Sequence, residues 1–229
     1  MTSKERDNMT IPIPSYSDRE TLLRLGIVKV PIPSIIGKDQ QQWASELSQV
    51  TPMIMAMQGD SEYAFYRNIM VEPELEFPLE QIVSEQIQEA FEKYFGVQPE
   101  EMRLDDAFCV HYNADQTDSS GKKHMDPSDI TVNVCLENTD DVEGSQVLFY
   151  GSKKLENVDI DDNDNENQNE QERFLVPQEP GFATIHYGSH PHETTPLSSK
   201  TGRRTNVIVT YCYKDKTRSD VGKRNCYFI

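Results

Sequence analysis

Three residues in the second half of this 229-residue chain have the types and the spacing of a metal site. His124 and Asp126 are separated by one residue, and His192 follows 66 residues after Asp126. Two imidazoles and one carboxylate can hold a divalent iron on one face and leave three positions open for other ligands. Arg203 and Arg204 follow His192 by eleven and twelve residues and begin an apolar run. A basic side chain in that place would suit an anionic ligand.

The His-x-Asp motif lies just before a predicted strand. Side chains at positions i and i+2 of a strand point to the same face, so His124 and Asp126 can converge on one ion at a strand end. Residues 130–136 follow directly and are rich in β-branched and apolar side chains, which is typical of a strand. A His-x-Asp pair alone is common by chance, and this setting strengthens the prediction.

Short strand-like runs follow residue 100 and predict an antiparallel sandwich or barrel. They cover residues 107–112, 130–136, 147–150, 182–186 and 205–213. Upstream, residues 26–30 are typical of a strand, and residues 38–49, which contain Trp43, are typical of a short helix. Apolar residues recur at helical spacing over residues 79–95, with Gly96 at the position of a C-cap, so we expect a helix that packs against the sheet.

The second histidine and the arginine pair lie in a longer pattern. It reads GFATIHYGSHPHETTPL over residues 181–197 and GRRTNVIV over residues 202–209. This order of strand, turn, histidine, loop, arginine and strand resembles the 2-oxoglutarate- and Fe(II)-dependent dioxygenases, in particular the prolyl/lysyl-hydroxylase-like branch of the prolyl 4-hydroxylase α-subunit type. The resemblance covers about residues 104–213. It implies an α+β, mostly β fold: a double-stranded β-helix (jelly roll) with N-terminal supporting helices.

The resemblance also implies which residues bind the metal. Carried over position by position, it makes His124, Asp126 and His192 the Fe(II) ligands and the catalytic centre. His192 matches the family's third ligand because it directly precedes the x-x-x-Pro step. His190 and His186 remain the alternatives for that third position.

A second set of residues would bind the co-substrate. The family's Gly-x-Arg motif falls on Gly202 and Arg204, so Arg204 is the expected partner of 2-oxoglutarate, with Arg203 as the alternative. Tyr112 matches a tyrosine that helps to hold 2-oxoglutarate, although a strand-end core aromatic would look the same. Gly144-Ser145 stands where the family has a Gly-Gly turn, a change that a β-turn tolerates.

The implied activity is that of an Fe(II)- and 2-oxoglutarate-dependent oxidoreductase, a dioxygenase or hydroxylase that uses L-ascorbate. It would hydroxylate a prolyl- or lysyl-type protein side chain or a small molecule and release succinate and CO2. Thr131 and Asn133 are expected to line its pocket. Two alternatives remain: a catalytically silent jelly roll that serves as a binding module, and a His2Asp zinc hydrolase, since zinc accepts the same ligands. Zinc hydrolysis gives no role to the arginine strand.

The charge of the chain bears on its partners. The net charge of −17 argues against binding to nucleic acid, which needs a basic face, and would suit a basic substrate. Residues 156–172 contain eight acids and no base, which predicts a disordered surface insertion. Part of this segment follows a calcium-loop template, but Asp164 occupies the position where that loop requires glycine.

The remaining features concern domain organisation and compartment. We expect a mobile arm over residues 1–20, a strand with supporting helices over 21–103, the dioxygenase core over 104–213 and a basic tail over 214–229. The four cysteines lack CxxC spacing, and no signal-like apolar segment is present, which predicts a soluble cytoplasmic or nuclear protein. A membrane partner is expected only if Cys226 is prenylated, and Ile229 is not a typical last residue of a prenylation box.

Overall fold

The structure, a computed structural model, describes residues 12–33, 53–56, 62–67, 85–114, 119–158 and 172–223. Within these residues, two helices, α1 (Arg19–Arg24) and α2 (Glu85–Phe95), and two short 3₁₀ turns, Pro99–Glu101 and Val221–Lys223, accompany the strands. The strands are β1 (Val28–Pro31), β2 (Met53–Ala56), β3 (Glu62–Arg67), β4 (Met102–Asn113), β5 (Gly121–His124), β6 (Ile130–Asn138), β7 (Val147–Tyr150), β8 (Arg173–Val176), β9 (Phe182–Tyr187), β10 (His192–Thr194) and β11 (Arg203–Tyr213).

These strands form two antiparallel sheets, which confirms the predicted mostly β, jelly-roll class. The larger sheet has the order β1-β9-β6-β11-β4-β3-β2, and the smaller one has the order β5-β10-β7-β8. The five strand-like runs after residue 100 correspond to β4, β6, β7, β9 and β11. The sequence did not predict β2, β3, β5, β8 or β10, because most of these strands are short and β5 in particular is polar (GKKH).

Helix α2 supports the larger sheet from outside, as its apolar stripe predicts. The ring of Phe91 meets Tyr211 edge-on with centroids 4.9 Å apart, and Phe95 meets Tyr187 in the same way at 5.0 Å. Gly96 ends the helix at φ +64°, in the left-handed region expected for this C-cap. Each large apolar side chain buried here contributes about 1.5–3 kcal/mol. Because strand side chains alternate, the opposite face of this sheet is left for the site.

The described part of the predicted mobile arm, residues 12–20, is attached to the sheet. Ser15 bridges to Leu175 of β8, and the amide of Tyr16 donates to the Leu175 carbonyl at 2.9 Å. The ring of Tyr16 packs on Phe174 at 6.1 Å, and Asp18 caps α1 through the amide of Thr21. The composition of this segment predicted no regular structure. The contact of Tyr16 with Phe174 depends on β8, a strand that the sequence did not predict.

Several predictions lie outside the described residues. They are the helix over residues 38–49 with Trp43, the first residues of the helix predicted over 79–95, most of the acidic segment, and the terminal segment with Cys226. Among the helices that the structure describes, none combines the length and the apolar character needed to span a membrane.

Candidate metal centre

His124 and His192 are brought together by adjacent strands of the smaller sheet. His124 ends β5 and His192 begins β10, and the two residues are direct partners in the antiparallel ladder. Their ring centroids are 4.5 Å apart. Strand β10 also pairs with β7, where His192 lies opposite Phe149. Strand β10 is only three residues long, but it is paired with a neighbouring strand on each side.

Asp126 lies in the segment between β5 and β6, and the turn after β9 holds it in place. Its amide donates to the carbonyl of Gly188 at 2.9 Å, and the Gly188 amide donates to the carbonyl of Asp129 at 3.0 Å. A Cβ at position 188 would lie 2.0 Å from the carbonyl oxygen of Ser128. Only glycine permits this close approach, so the two chain segments are tied together where the carboxylate must point.

The three side chains present their donor atoms to one common point. Nε2 of His124 lies 3.3 Å from Oδ1 of Asp126, and Nε2 of His192 lies 3.8 Å from the same oxygen. The ligand atoms of this group all lie within 4.8 Å of one another. With metal–ligand bonds of about 2.1 Å, adjacent ligands of an octahedral ion lie about 3 Å apart. The donor set therefore fits one divalent ion.

Backbone carbonyls fix the orientation of both rings. Nδ1 of His124 lies 2.7 Å from the carbonyl oxygen of Lys122, and Nδ1 of His192 lies 2.9 Å from that of His190. A carbonyl can only accept, so each Nδ1 carries a proton and donates it, and in the neutral ring Nε2 keeps the lone pair that can bind a metal. Metal-binding histidines are held in this way in proteins.

The second oxygen of Asp126 is bound by a chain of hydroxyls. Thr131 Oγ1 donates to Asp126 Oδ2 at 2.6 Å. Ser128 Oγ lies 2.8 Å from Thr131 Oγ1, and because the threonine proton is already used, Ser128 is the donor in this contact. The carboxylate is thus oriented with Oδ1 toward the two imidazoles.

The electrostatic surroundings keep His192 neutral and Asp126 ionised, which are their metal-binding states, whereas they favour the protonated ring of His124, which would release its proton on binding a metal. Burial lowers the pKa of His192 to about 3, which keeps its ring neutral. Burial acts against ionisation of Asp126, but the adjacent imidazoles outweigh it and hold the pKa of this carboxyl well below its usual range. Burial also opposes protonation of His124, which is about a third exposed, yet the hydrogen bond and charge of Asp126 raise its pKa.

The two alternative histidines lie beside the group of three donors. His190 is fully buried, and Nε2 donates to the carbonyl of Gly151 at 2.9 Å. Its ring packs between Phe149 and Phe174, at 4.9 and 6.2 Å. His186 packs its ring edge-on against His192 at 4.9 Å, with Nδ1 3.0 Å from the carbonyl of Tyr187. Among the described residues, the group of side chains that could hold a metal ion consists of His124, Asp126 and His192, and neither His186 nor His190 belongs to it.

Arg204 is the largest side chain among the most deeply buried ones, with 2% exposure. It extends from β11 of the larger sheet to the loop before β7, where Nη1 donates to the carbonyl of Ser145. Its guanidinium carbon lies 4.9 Å from the ring centroid of Tyr112, itself 5% exposed. Burial lowers the pKa of Arg204, yet guanidinium stays charged in proteins.

That buried charge has no counter-ion among the described residues. No described carboxylate forms an ion pair with Arg204, and its Nε has no hydrogen-bond partner there. Arg203, by contrast, faces solvent and pairs with Glu137 at 2.8 Å, the orientation expected from strand alternation. A buried unpaired guanidinium is costly, and an anionic ligand would compensate it.

Uncharged amide side chains lie on the same face of the larger sheet as Arg204. The Nδ2 group of Asn206, two residues after Arg204, donates to Asn133 at 2.5 Å and to Gln178 at 2.9 Å. The sequence pointed to Asn133 as a pocket residue, whereas Gln178, in the loop between β8 and β9, carries no local signal. Gly188 and Ser128 were also missed as site residues, because their contribution is a tertiary contact.

Comparison by sequence found no relative: no protein-family model matches the chain, and neither does any curated protein. Solved structures do resemble it. A 2OG-Fe(II) oxygenase family oxidoreductase from Burkholderia pseudomallei superposes with a TM-score of 0.59 at 13% identity, over 85% of this chain and 88% of that one. The non-haem α-ketoglutarate-dependent epimerase SnoN from nogalamycin biosynthesis gives 0.59 at 15%, over 88% and 87%. AviO1 from Streptomyces viridochromogenes gives 0.59 at 13%, over 86% and 96%.

At these identities the likeness defines the fold. The chain has the fold of the 2-oxoglutarate- and Fe(II)-dependent oxygenases, and within it His124, Asp126 and His192 form a His-Asp-His cluster. One of the similar structures, SnoN, is described in complex with Fe3+, α-ketoglutarate and nogalamycin RO. The finer assignment to the prolyl-hydroxylase branch stays a prediction from the sequence.

Proposed function

We propose that this protein is an Fe(II)- and 2-oxoglutarate-dependent dioxygenase that hydroxylates a prolyl- or lysyl-type protein side chain or a small molecule. For each C–H bond converted to C–OH, the reaction consumes one 2-oxoglutarate and one dioxygen and yields one succinate and one CO2. L-ascorbate would serve as the reductant that keeps the iron in the Fe(II) state.

One observation carries this proposal. The fold places a cluster of two imidazoles and a carboxylate in the same sandwich as a buried guanidinium that has no anionic partner among the described residues. The first group is the donor set of a non-haem iron with open positions, and the second is a binding group for a carboxylate. 2-Oxoglutarate is the ligand that needs both, because it has a metal-chelating keto acid at one end and a carboxylate at the other.

The residues of the chain would act by holding and orienting. His124, Asp126 and His192 would bind the ion, with the two Nδ1 protons and the Thr131 hydroxyl fixing the three donors. Arg204 would pair with the distal carboxylate of 2-oxoglutarate. Bound iron and 2-oxoglutarate would together supply the activation of dioxygen that breaking a C–H bond requires. The buried position of the arginine would keep water away from that ion pair.

Two other functions account for less of the structure. A silent jelly roll would have no need for a complete and hydrogen-bonded donor set. A zinc hydrolase would use that set, but it would leave Arg204 buried and unpaired. Neither has an observation of its own in its favour.

For the substrate, we propose a basic peptide or small molecule. The net charge of −17 supports this choice, since long-range attraction raises the rate of encounter with a cation. Half-saturating concentrations should then rise with ionic strength, because salt screens such attraction over roughly 10 Å at 0.1 M.

The test is production of succinate. Purified protein is incubated with Fe(II), ascorbate and 2-oxoglutarate, with and without a library of lysine- and proline-containing peptides. We expect succinate that depends on iron, and one oxygen added to a peptide by mass spectrometry. Metal-loaded, folded protein that binds 2-oxoglutarate but produces no succinate would favour the binding module. Peptide or ester cleavage with zinc would favour the hydrolase.

A further inference from the structure

Asp129 is a buried carboxylate outside the His-Asp-His cluster, and the C-terminal part of the chain binds it at both oxygens. Asp129 is 8% exposed. The amide of Tyr213, the last residue of β11, donates to Oδ2 at 2.9 Å, and the hydroxyl of Ser219 donates to Oδ1 at 2.9 Å. Burial of a carboxylate is costly unless hydrogen bonds compensate it, so a charge in this place calls for an explanation.

The backbone of Asp129 connects the same residue to Asp126. The carbonyl of Asp129 accepts from the Gly188 amide at 3.0 Å, and the carbonyl of Gly188 accepts from the Asp126 amide at 2.9 Å. On its other side, the amide of Asp129 donates to the carbonyl of Tyr211 at 2.9 Å. A path of hydrogen-bonded residues therefore runs from Ser219 through Asp129 and Gly188 to the residue that supplies the carboxylate of the cluster.

The segment after β11, residues 214–219, is otherwise held by exposed contacts. Arg218 forms an ion pair with Glu101 in which both side chains are exposed, and such pairs contribute little to stability. Residues 214–218 are exposed, whereas Ser219 is half-buried. The bond from Ser219 reaches a buried group, Asp129, and so places this segment against the one that carries the metal-binding carboxylate.

We propose that Asp129 is a positioning residue for Asp126, and that Ser219 is the residue through which the C-terminal segment holds Asp129 in place. This inference rests on the proposed function, because it requires a metal at the His-Asp-His cluster. With both carboxylate oxygens bound, the carbonyl of Asp129 is fixed, and it fixes the Gly188 turn that holds Asp126. Metal affinity then depends on a hydroxyl whose bonding partner is Asp129 and not a metal-binding residue.

The test is titration of the metal-free protein with Mn(II), followed by calorimetry and by the electron paramagnetic resonance spectrum of the bound ion. Asp129→Asn keeps the size of the side chain and an acceptor for the Tyr213 amide, but its amide nitrogen cannot accept from Ser219. Ser219→Ala removes the donor and leaves Asp129 intact. We expect each variant to weaken Mn(II) binding about tenfold, the lower end of the range for residues that orient metal ligands. The spectrum should change as well, because a carboxylate ligand moves.

Thr217→Ala is the matched control. The hydroxyl of Thr217 lies in the same segment but is bonded to the exposed carboxylate of Asp215, at 2.8 Å, so this variant should bind Mn(II) like wild type. The double variant with Asp129→Asn and Ser219→Ala should lose no more affinity than Asp129→Asn alone, because both changes remove the same bond.

Wild-type Mn(II) affinity and an unchanged spectrum in both folded single variants would overturn the proposal, even if both melt at a lower temperature. If Asp129→Asn does not fold, Ser219→Ala alone decides. Additive losses in the double variant, or an equal loss in Thr217→Ala, would overturn the role of Ser219 through Asp129. A wild type that binds no Mn(II) would instead overturn the metal site and the proposed function with it.

Discussion

The hydroxyl of Thr131 donates a 2.6 Å hydrogen bond to Oδ2 of Asp126. Thr131 lies on β6 of the larger sheet, whereas Asp126 extends from the segment that follows β5 of the smaller one. This contact therefore links the carboxylate of the His-Asp-His cluster to the larger sheet behind it. It leaves Oδ1 directed at Nε2 of both histidines.

Thr131→Val should weaken metal binding while preserving the fold. Valine has nearly the shape of threonine but cannot donate, so Asp126 loses the bond that orients it. Removing a partner that orients a metal ligand typically costs about 10- to 100-fold in affinity. Titration of the metal-free variant with Fe(II) or Mn(II) measures the change, and the rise in melting temperature on metal addition should shrink with it.

Thr210→Val is the control for that substitution. Thr210 is a buried threonine of β11 whose hydroxyl is bonded to the backbone of Asp106, and it does not touch the metal-binding residues. Its loss should lower stability and leave metal affinity unchanged. Equal metal affinities of Thr131→Val and wild type would show that the carboxylate does not depend on this bond.

Arg204→Met should raise the KM for 2-oxoglutarate by about 100- to 4000-fold, since loss of one partner of a buried charge pair costs about 3–5 kcal/mol. Without 2-oxoglutarate the variant should be at least as stable as wild type, because an unpaired buried charge has been removed. Arg203→Met removes an exposed ion pair worth about 0–1 kcal/mol and should leave the KM unchanged. Equal, small effects of both variants on the KM would refute the assignment of Arg204.

Gly188→Ala should reduce metal affinity through the backbone. The new methyl group would meet the Ser128 carbonyl at 2.0 Å, so the segment that carries Asp126 must shift. Gly121→Ala is the matched change in β5, where the nearest atom would be 3.4 Å away on Thr194. Circular dichroism and metal titration of both variants test this. Normal metal affinity of folded Gly188→Ala would mean that the close approach does not position Asp126.

His190→Ala should mainly reduce stability, whereas His192→Ala should mainly abolish succinate production. His190→Ala empties a buried site between two phenylalanine rings and should cost about 2–4 kcal/mol of unfolding free energy, yet retain succinate production at low temperature. His192→Ala should abolish that production with a smaller loss of stability. An active His192→Ala with an inactive, folded His190→Ala would move the third ligand to His190.

Much of this architecture could be predicted because it depends on local patterns. The helical stripe that ends at Gly96 predicted the support helix, and alternation along β11 separated inward Arg204 from outward Arg203. The site itself depends on short elements. His124 and His192 lie on strands of four and three residues that pairing with their neighbours stabilises, and such strands lack a periodic signal.

The positioning contacts could not be predicted for a further reason. The carbonyls that fix the histidine rings and bind Arg204 belong to the backbone, and every residue has one. The role of Gly188 depends on an approach between segments about 60 residues apart in sequence. Ser145 looked like a harmless substitution in a turn, and the burial of its hydroxyl, which has no hydrogen-bond partner among the described residues, became apparent only in the fold.

The central claim is that this protein couples dioxygen to the oxidation of 2-oxoglutarate at His124, Asp126 and His192. Turnover under ¹⁸O-labelled dioxygen with Fe(II) and ascorbate, followed by mass spectrometry of succinate, tests it most directly. We predict succinate that carries one labelled oxygen, formed by wild type and absent with Asp126→Ala. Unlabelled succinate, or labelled succinate formed equally by the folded Asp126→Ala variant, would contradict the claim.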